Sequence, residues 1–303
     1  LLERASAQSA MAEETERLQR QLTYAGVLVD MVGTSPQMQQ VFSLIRQVAP
    51  SKASVLISGE SGTGKELVAR AIHHLSSRRT GPFVAINCAA LPETLMESEL
   101  FGHEKGAFTG ALERRSGCFE LAQHGTLLLD ELGEMAVGTQ AKLLRVLEDS
   151  RVRRLGGKSE ISVDVRVIAS TNRNVEEALK KGELREDLYY RLNVFQMQMP
   201  PLRQRMTDLP LLCDALIIQL NRKYQVNVTD LHPDVMEAFK KHTWPGNVRE
   251  LRNVLERAVI VAGEGAIQMA HLPYDFGVST GTRNAAEIYE PETVRLPVGT
   301  TVS

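Results

Sequence analysis

A chain of 303 residues has the length of about two domains, and 43% hydrophobic with 24% charged residues is the make-up of an ordinary folded protein, not of a disordered, collagen-like or coiled-coil one. A formal net charge of −2 excludes a strongly basic nucleic-acid binder, and no apolar run approaches the ~20 residues that cross a bilayer. Three widely spaced cysteines, Cys88, Cys118 and Cys213, argue against a disulfide framework and for a reducing cytoplasm.

The opening residues, Leu1-Leu2-Glu3-Arg4, hold neither a signal-peptide core nor an initiator Met, as expected of a piece of a longer chain. Residues 1–31 are polar, with Met11, Thr15, Leu18 and Leu22 on one helical face. They read either as a linker helix, able to pair with a second copy, or as a solvated tail. Thr34-Ser35-Pro36 has the form of a helix start, and Met38, Val41, Phe42, Ile45 and Val48 follow a helical period. Short apolar runs then succeed one another: Val55–Ile57, Phe83–Ile86, Thr126–Leu129, Val165–Ala169 and Val194–Met199. Helical patterns such as Leu67–Leu75 and Ala141–Leu147 separate most of them, so residues 32–200 predict an α/β domain with a helix-covered, mostly parallel sheet. Beyond Pro200-Pro201, the segments Leu209–Tyr224, Pro233–His242 and Asn247–Ala262 predict a small all-helical domain over 201–276, with no intervening strand. Residues 277–303, rich in Thr, Gly, Pro and Val, read as a linker toward a further domain.

The chemistry is concentrated in a few segments. Gly59-Glu60-Ser61-Gly62-Thr63-Gly64-Lys65 lies between a predicted strand and a predicted helix, the setting of a phosphate-binding loop. Glycines let successive N–H groups turn inward into an anion nest, the helix N-terminus adds partial positive charge, and Lys65 can reach β- and γ-phosphates. Glu66 stands where Ser or Thr usually gives Mg²⁺ a hydroxyl. An apolar strand ends in Asp130-Glu131, where Asp130 is expected to hold Mg²⁺ through water and Glu131 to polarise the attacking water. Ser170-Thr171-Asn172 ends another strand, which suits Asn172 to sensing the γ-phosphate; taken alone, it could equally cap the helix that follows. Arg185 and Arg191 lie between one and two helical turns apart, and on pattern alone are as readily surface arginines.

Gly106-Ala107-Phe108-Thr109-Gly110-Ala111, following Glu99-Leu100-Phe101-Gly102-His103-Glu104-Lys105, resembles the signature loop of bacterial enhancer-binding proteins, the NtrC-like, sigma-54-dependent transcription activators of the AAA+ superfamily. The resemblance runs from about Val32 to Tyr274 and includes Gly59–Glu66, Asn87–Ala90, Leu128–Glu131, Arg185–Arg191 and Trp244–Leu251. It implies an ATPase that takes ATP or ADP with Mg²⁺ at Gly59 to Leu67, with Val32 and Gly33 against the adenine. It also implies a hexameric ring, a dimer when inactive, and sigma-54 of RNA polymerase as the partner of Gly106–Ala111. Within it, Asn87 restrains Glu131, Thr171 and Asn172 sense the γ-phosphate, Arg185 and Arg191 act as fingers on a neighbour's ATP, and Arg249 is a second sensor. Arg153–Ser159, between apparent hairpin strands, is similar to a second loop supporting the first. Family members carry a helix-turn-helix outside this region, so promoter DNA contact by this chain is expected to be weak or indirect. A parent under receiver-domain control also follows from the resemblance. Other readings of the nucleotide motifs are a different AAA+ remodelling machine and a nucleotide-gated oligomerisation scaffold. Cys88 and Cys118 are expected to be buried apolar residues, and Trp244 to anchor the turn between lid helices.

Overall fold

A computed structural model describes residues 27–273 and 276; of the linkers expected at 1–31 and 277–303, residues 1–26 and 277–303 lie outside the described residues. Where the sequence predicts the end of the linker helix, the chain instead forms a hairpin, β1 (Val27–Leu28) with β2 (Met31–Val32). Val29 takes a left-handed φ of 55° at the turn, and the valine-rich run suits extended backbone better than helix. Next, α1 (Pro36–Val48) starts with the Ser35 side chain accepting from the Met38 N–H, with Pro36 in the first turn. Its Met38, Val41, Phe42, Ile45 and Val48 are all buried, as their spacing predicts.

The rest of the first domain alternates strand and helix. In chain order it runs β3 (Val55–Ser58), α2 (Lys65–His74), β4 (Phe83–Asn87), α3 (Glu93–Phe101), α4 (Cys118–Leu121), β5 (Thr126–Asp130) and α5 (Val137–Asp149). The hairpin of β6 (Arg151–Arg153) and β7 (Glu160–Ser162) precedes β8 (Arg166–Thr171), α6 (Val175–Lys180), α7 (Glu186–Leu192) and β9 (Phe195–Gln198). Five of these strands form one wholly parallel sheet in the order β4-β5-β8-β3-β9. Side chains alternate across it with the two-residue period of a strand. Leu127, Leu129, Val167 and Ala169 join Phe101, Phe119, Leu143 and Leu188 on one face, whereas Leu128, Ile168, Val55 and Ile57 join Phe42, Ile45 and Ile72 on the other. Helices cover both faces, so the ligand-binding ends of the strands are the C-terminal ones. Cys88, Cys118 and Cys213 are buried and free.

The second domain holds α8 (Leu209–Tyr224), α9 (Pro233–Lys241) and α10 (Asn247–Ala262) around Trp244, which is fully buried and donates its ring N–H to the Phe239 carbonyl. It is helical, but the expectation of no intervening strand fails: β10 (Asn227–Leu231) pairs parallel with β11 (Glu264–Ile267). Gln225 ends α8 in a left-handed conformation, and β10 buries only Val228 and Leu231. That segment is too short and too polar to register as a strand in the sequence. The register slips between Val228 and Asp230, which breaks the simple alternation. Among the described residues no helix is long and apolar enough to cross a membrane.

Candidate nucleotide site

β3 lies inside the sheet, between β8 and β9, and the loop leaving its C-terminal end runs straight into α2. Gly62 and Gly64 have φ of 77° and 102°, which side-chain-bearing residues resist. The first amides of α2 have no intrahelical acceptor, so the loop directs N–H groups and dipole at one spot. Lys65 is 6% exposed and folds back: its Nζ donates to the Gly59 carbonyl at 3.0 Å and lies 3.4 Å from Glu131 Oε1. Glu66 turns instead to Arg70, one helical turn on, at 2.7 Å.

Glu131 follows β5 directly and holds a left-handed φ of 55°, a strained setting of the kind found at functional turns. Its Oε2 accepts from the Asn172 backbone N–H at 3.0 Å, at the end of β8. Asp130 accepts from the Ser170 hydroxyl. The Thr171 carbonyl accepts from the Gly59 N–H at 3.2 Å. Asn174, not Asn172, caps α6. Asn87 stands opposite Asp130 in the sheet register, but its Oδ1 accepts from the Ala89 N–H at 2.8 Å, while the hydrogen bonds of Glu131 run to Lys65 and Asn172.

The second domain closes over this loop as a lid. The Val248 N–H donates to the Gly62 carbonyl at 3.0 Å, and Arg249 Nη1 to Ser61 Oγ at 2.8 Å. Asn247 Nδ2 donates to the Ser61 carbonyl at 3.0 Å and to Glu60 Oε2 at 3.1 Å. Arg203 grips both oxygens of Glu60, and with Asn247 it holds that carboxyl at a pKa of about 2. Asp208, fully buried, accepts from the Thr34 and Ser35 N–H groups at 2.6 Å and from Ser35 Oγ at 2.7 Å. Gly33 fits tightly beside it, where a Cβ would stand 3.1 Å from Asp208 Oδ2.

Between loop and lid lies a cleft of about 540 Å³. Of the residues singled out in the sequence it is lined by Val32, Ser61 to Leu67, Asp130, Glu131 and Arg249. Sequence reasoning missed Asp30, Arg205, Leu212, Leu216, Gln219 and Arg252, which also line it. Arg205 is the most unusual of these: it is buried, donates to the Thr63 carbonyl at 3.0 Å, and leaves Nε without a partner. Burial lowers its pKa. The one available signal was a pair of arginines, Arg203 and Arg205, just after the two prolines that mark the domain border.

Arg185 and Arg191 do not line the cleft of their own chain. Arg185 stands at the N-cap of α7, partly exposed and paired with Asp187 at 2.6 Å, and Arg191 donates to the Leu147 carbonyl at 2.6 Å. Gly106–Ala111 also lies outside the cleft lining. It is closed by its own backbone, Gly106 N–H to the Ala111 carbonyl at 2.8 Å, and a Cβ at Gly106 or Gly110 would meet nothing within 4 Å. Ala111 is buried, but Phe108 is 39% exposed, resting its ring edge on His103 at 5.0 Å between centroids. The β6–β7 loop sits beneath it: Gly156 abuts Ala107, the Glu104 N–H donates to the Leu155 carbonyl at 3.0 Å, and Arg154 bridges Glu104 and Glu120.

A glycine loop and lysine after an interior parallel strand, an acidic pair closing the next strand but one, and a helical lid bonded to the loop together define a P-loop protein of the AAA+ kind. Known families agree with that class. One described as the Sigma-54 interaction domain matches residues 31–198, and the AAA+ ATPase lid domain matches residues 203–288. The chain therefore belongs to the sigma-54-dependent transcriptional activators. It is 49% identical over 267 residues to the Nif-specific regulatory protein of Herbaspirillum seropedicae, covering 88% of this chain and 49% of that one. To the regulatory protein AtoC of Escherichia coli (strain K12) it is 48% identical over 273 residues, covering 90% and 59%. The crystal structure of NtrX from Brucella abortus in complex with ATP superposes with a TM-score of 0.77 at 38% identity, covering 94% of this chain and 63% of that one. The chain spans about half the length of the curated relatives it matches.

Proposed function

We propose that this chain hydrolyses ATP at the cleft between its two domains and uses the resulting motion to remodel RNA polymerase carrying sigma-54, with Gly106–Ala111 as the contact. The observation that carries the reading is the alignment of Lys65 and Glu131 at 3.4 Å across the floor of the cleft, under a lid arginine, Arg249, bonded to the loop. On ATP binding, the Lys65 ammonium exchanges the Gly59 carbonyl for phosphate oxygens, and the loop amides take the remaining charge. Glu131, released from that ion pair, accepts the proton of the water that attacks the γ-phosphorus as the bond to ADP breaks. Asp130 lines the cleft with Oδ1 engaged by Ser170, and so suits a carboxylate that holds Mg²⁺ through water. Bound there, the cation would neutralise charge on the β- and γ-phosphates.

Charge that develops on the γ-phosphate calls for a cation beyond Lys65 and the lid-side arginines. Arg185 and Arg191, on α7 and away from their own cleft, supply it to an adjacent copy in a closed heterologous ring, hexameric by resemblance. Asn172, whose N–H holds Glu131, reports on the γ-phosphate with Thr171, and Asn87, opposite Asp130, restrains Glu131 until the partner engages. Phe108 is the aromatic anchor for sigma-54, freed from His103 as the loop rises. The test is paired: Phe108→Ala should keep ATP turnover yet abolish sigma-54 capture and open-complex formation. Activation retained by that variant would defeat the assignment of the loop, and turnover independent of Glu131 would defeat that of the site.

A further inference from the structure

Between the catalytic turn and Arg185 runs a short, fully bonded path that the mechanism above does not use. Gln140 on α5 is 0% exposed, and its amide is engaged at both ends. Nε2 donates to the Met135 carbonyl at 2.8 Å and to the Glu183 carbonyl at 2.7 Å, while Oε1 accepts from the Arg185 N–H at 2.9 Å. Met135 ends the turn that Glu131 begins, and Arg185 is the cap residue of α7. One side chain therefore pins the backbone of Arg185 to the backbone that follows the catalytic glutamate. Arg173 makes a parallel tie. It follows Asn172, whose N–H holds Glu131, and its guanidinium takes both oxygens of Glu134 at 2.8 and 2.6 Å and Glu183 at 2.6 Å. Gly133 packs under it so closely that a Cβ would stand 2.9 Å from Arg173 Cδ.

We propose that Gln140 and Arg173 are positioning residues for Arg185, tying the arginine a subunit offers its neighbour to the state of that subunit's own catalytic turn. The inference rests on the proposed reading that Arg185 acts at an adjacent copy's ATP. A buried amide with both N–H groups and its carbonyl oxygen engaged cannot follow one partner without dragging the others, because an orphaned buried donor or acceptor is costly. Loss or gain of the Glu131–Asn172 bond thus shifts Arg185. By linkage, engagement of Arg185 next door must alter nucleotide binding at home.

The test uses mixed rings of the full chain. Arg185→Ala and Glu131→Gln subunits, each inactive alone, should recover turnover when mixed, because roughly a quarter of interfaces in a random ring then pair an intact base with an intact arginine. That mixture tests the underlying reading by itself. Gln140→Leu alone should lose about tenfold or more in turnover, the scale of a misplaced catalytic group, with nucleotide affinity of the unassembled subunit unchanged. Mixed with Glu131→Gln it should recover, and mixed with Arg185→Ala it should not. Recovery with Arg185→Ala alone, recovery with neither, or full activity of Gln140→Leu by itself would each overturn the proposal, whereas the outcome of the first mixture would still stand. Arg173→Gln, at a half-exposed position that does not fill the core, should repeat the pattern more weakly and serves if Gln140→Leu fails to fold; recovery of Arg173→Gln with Arg185→Ala would likewise overturn the proposal.

Discussion

The phosphate loop and the Gly106–Ala111 loop are both glycine-rich and both follow helices or strands of one domain, yet they are held in opposite ways. Around the first, Asn247, Val248, Arg249, Arg203 and Arg205 from the lid side each bond a loop atom, and a Cβ at Gly62 would stand 2.2 Å from the Gly246 carbonyl oxygen. Around the second, bonds to other segments gather at the base, through Arg154 and the Gly102–Leu155 pairing, and the loop above them is closed by its own backbone. Glycine in one place permits close approach, and in the other it meets open space. The same residue type serves a clamped loop and an open one, and only the neighbours distinguish them.

That contrast can be broken most sharply by giving both loops the same added methyl group. Gly62→Ala meets backbone on the lid as well as an unfavourable φ, so it should cost about 3 kcal/mol or more and open the lid, seen as lost ATP binding and a lower denaturation midpoint. Removing the acceptor of the lid-to-α1 bonds with Asp208→Ala should cost about 2–3 kcal/mol, because buried N–H and hydroxyl donors lose their partner; chemical denaturation reads it. Gly106→Ala meets open space and pays only for its φ of 83°, so about 1 kcal/mol is expected by the same assay. Phe108→Ala should change stability by no more than about 0.5 kcal/mol, as for an exposed loop side chain, a larger loss meaning that the ring is part of the core.

The smallest effect tests the clamped loop by pH. The Glu60 carboxyl lies at about 2, below its ordinary 4.5, because Arg203 and Asn247 bind its charged form. A lowered acid contributes stability above the unfolded value and loses it as pH falls, so the contribution should fade between pH 4.5 and 2. Screening at this half-exposed pair keeps the effect slight. Melting of the parent and of Glu60→Gln should therefore converge as acid is added, and a constant difference would show that Glu60 acts by shape alone.

Much of this was legible in the residues. Runs such as Thr126–Leu129 and Val165–Ala169 place apolar residues on both faces because helices cover both, so the parallel sheet could be read from them. Leu209–Tyr224 and Asn247–Ala262 start and stop where their periods do. The β1–β2 hairpin and the β10–β11 pair were not legible, since two-residue strands and a slipped register leave no period to detect. Within the site, the loop, Asp130 and Glu131 carry local signatures. Arg205, Asp208 and Gln140 do not: each matters through distant partners, 45 positions away for Gln140 and 174 for Asp208, which no spacing rule can reveal. The detail of Asn87 shows the same limit, because its place opposite Asp130 follows from strand register, while the turn of its side chain toward Ala89 does not.

One consequence of the architecture concerns α1. At its start, the Ser35 cap is lashed to Asp208 of the lid; at its far end, the buried Arg166 of β8 donates to the carbonyls of Val48, Ala49 and Ala53. A helix of 13 residues, roughly 20 Å long, is thereby anchored at both tips like a crankshaft. The rod joins the lid to the strand that terminates in Thr171, so the cleft is gripped from two directions through one continuous strut.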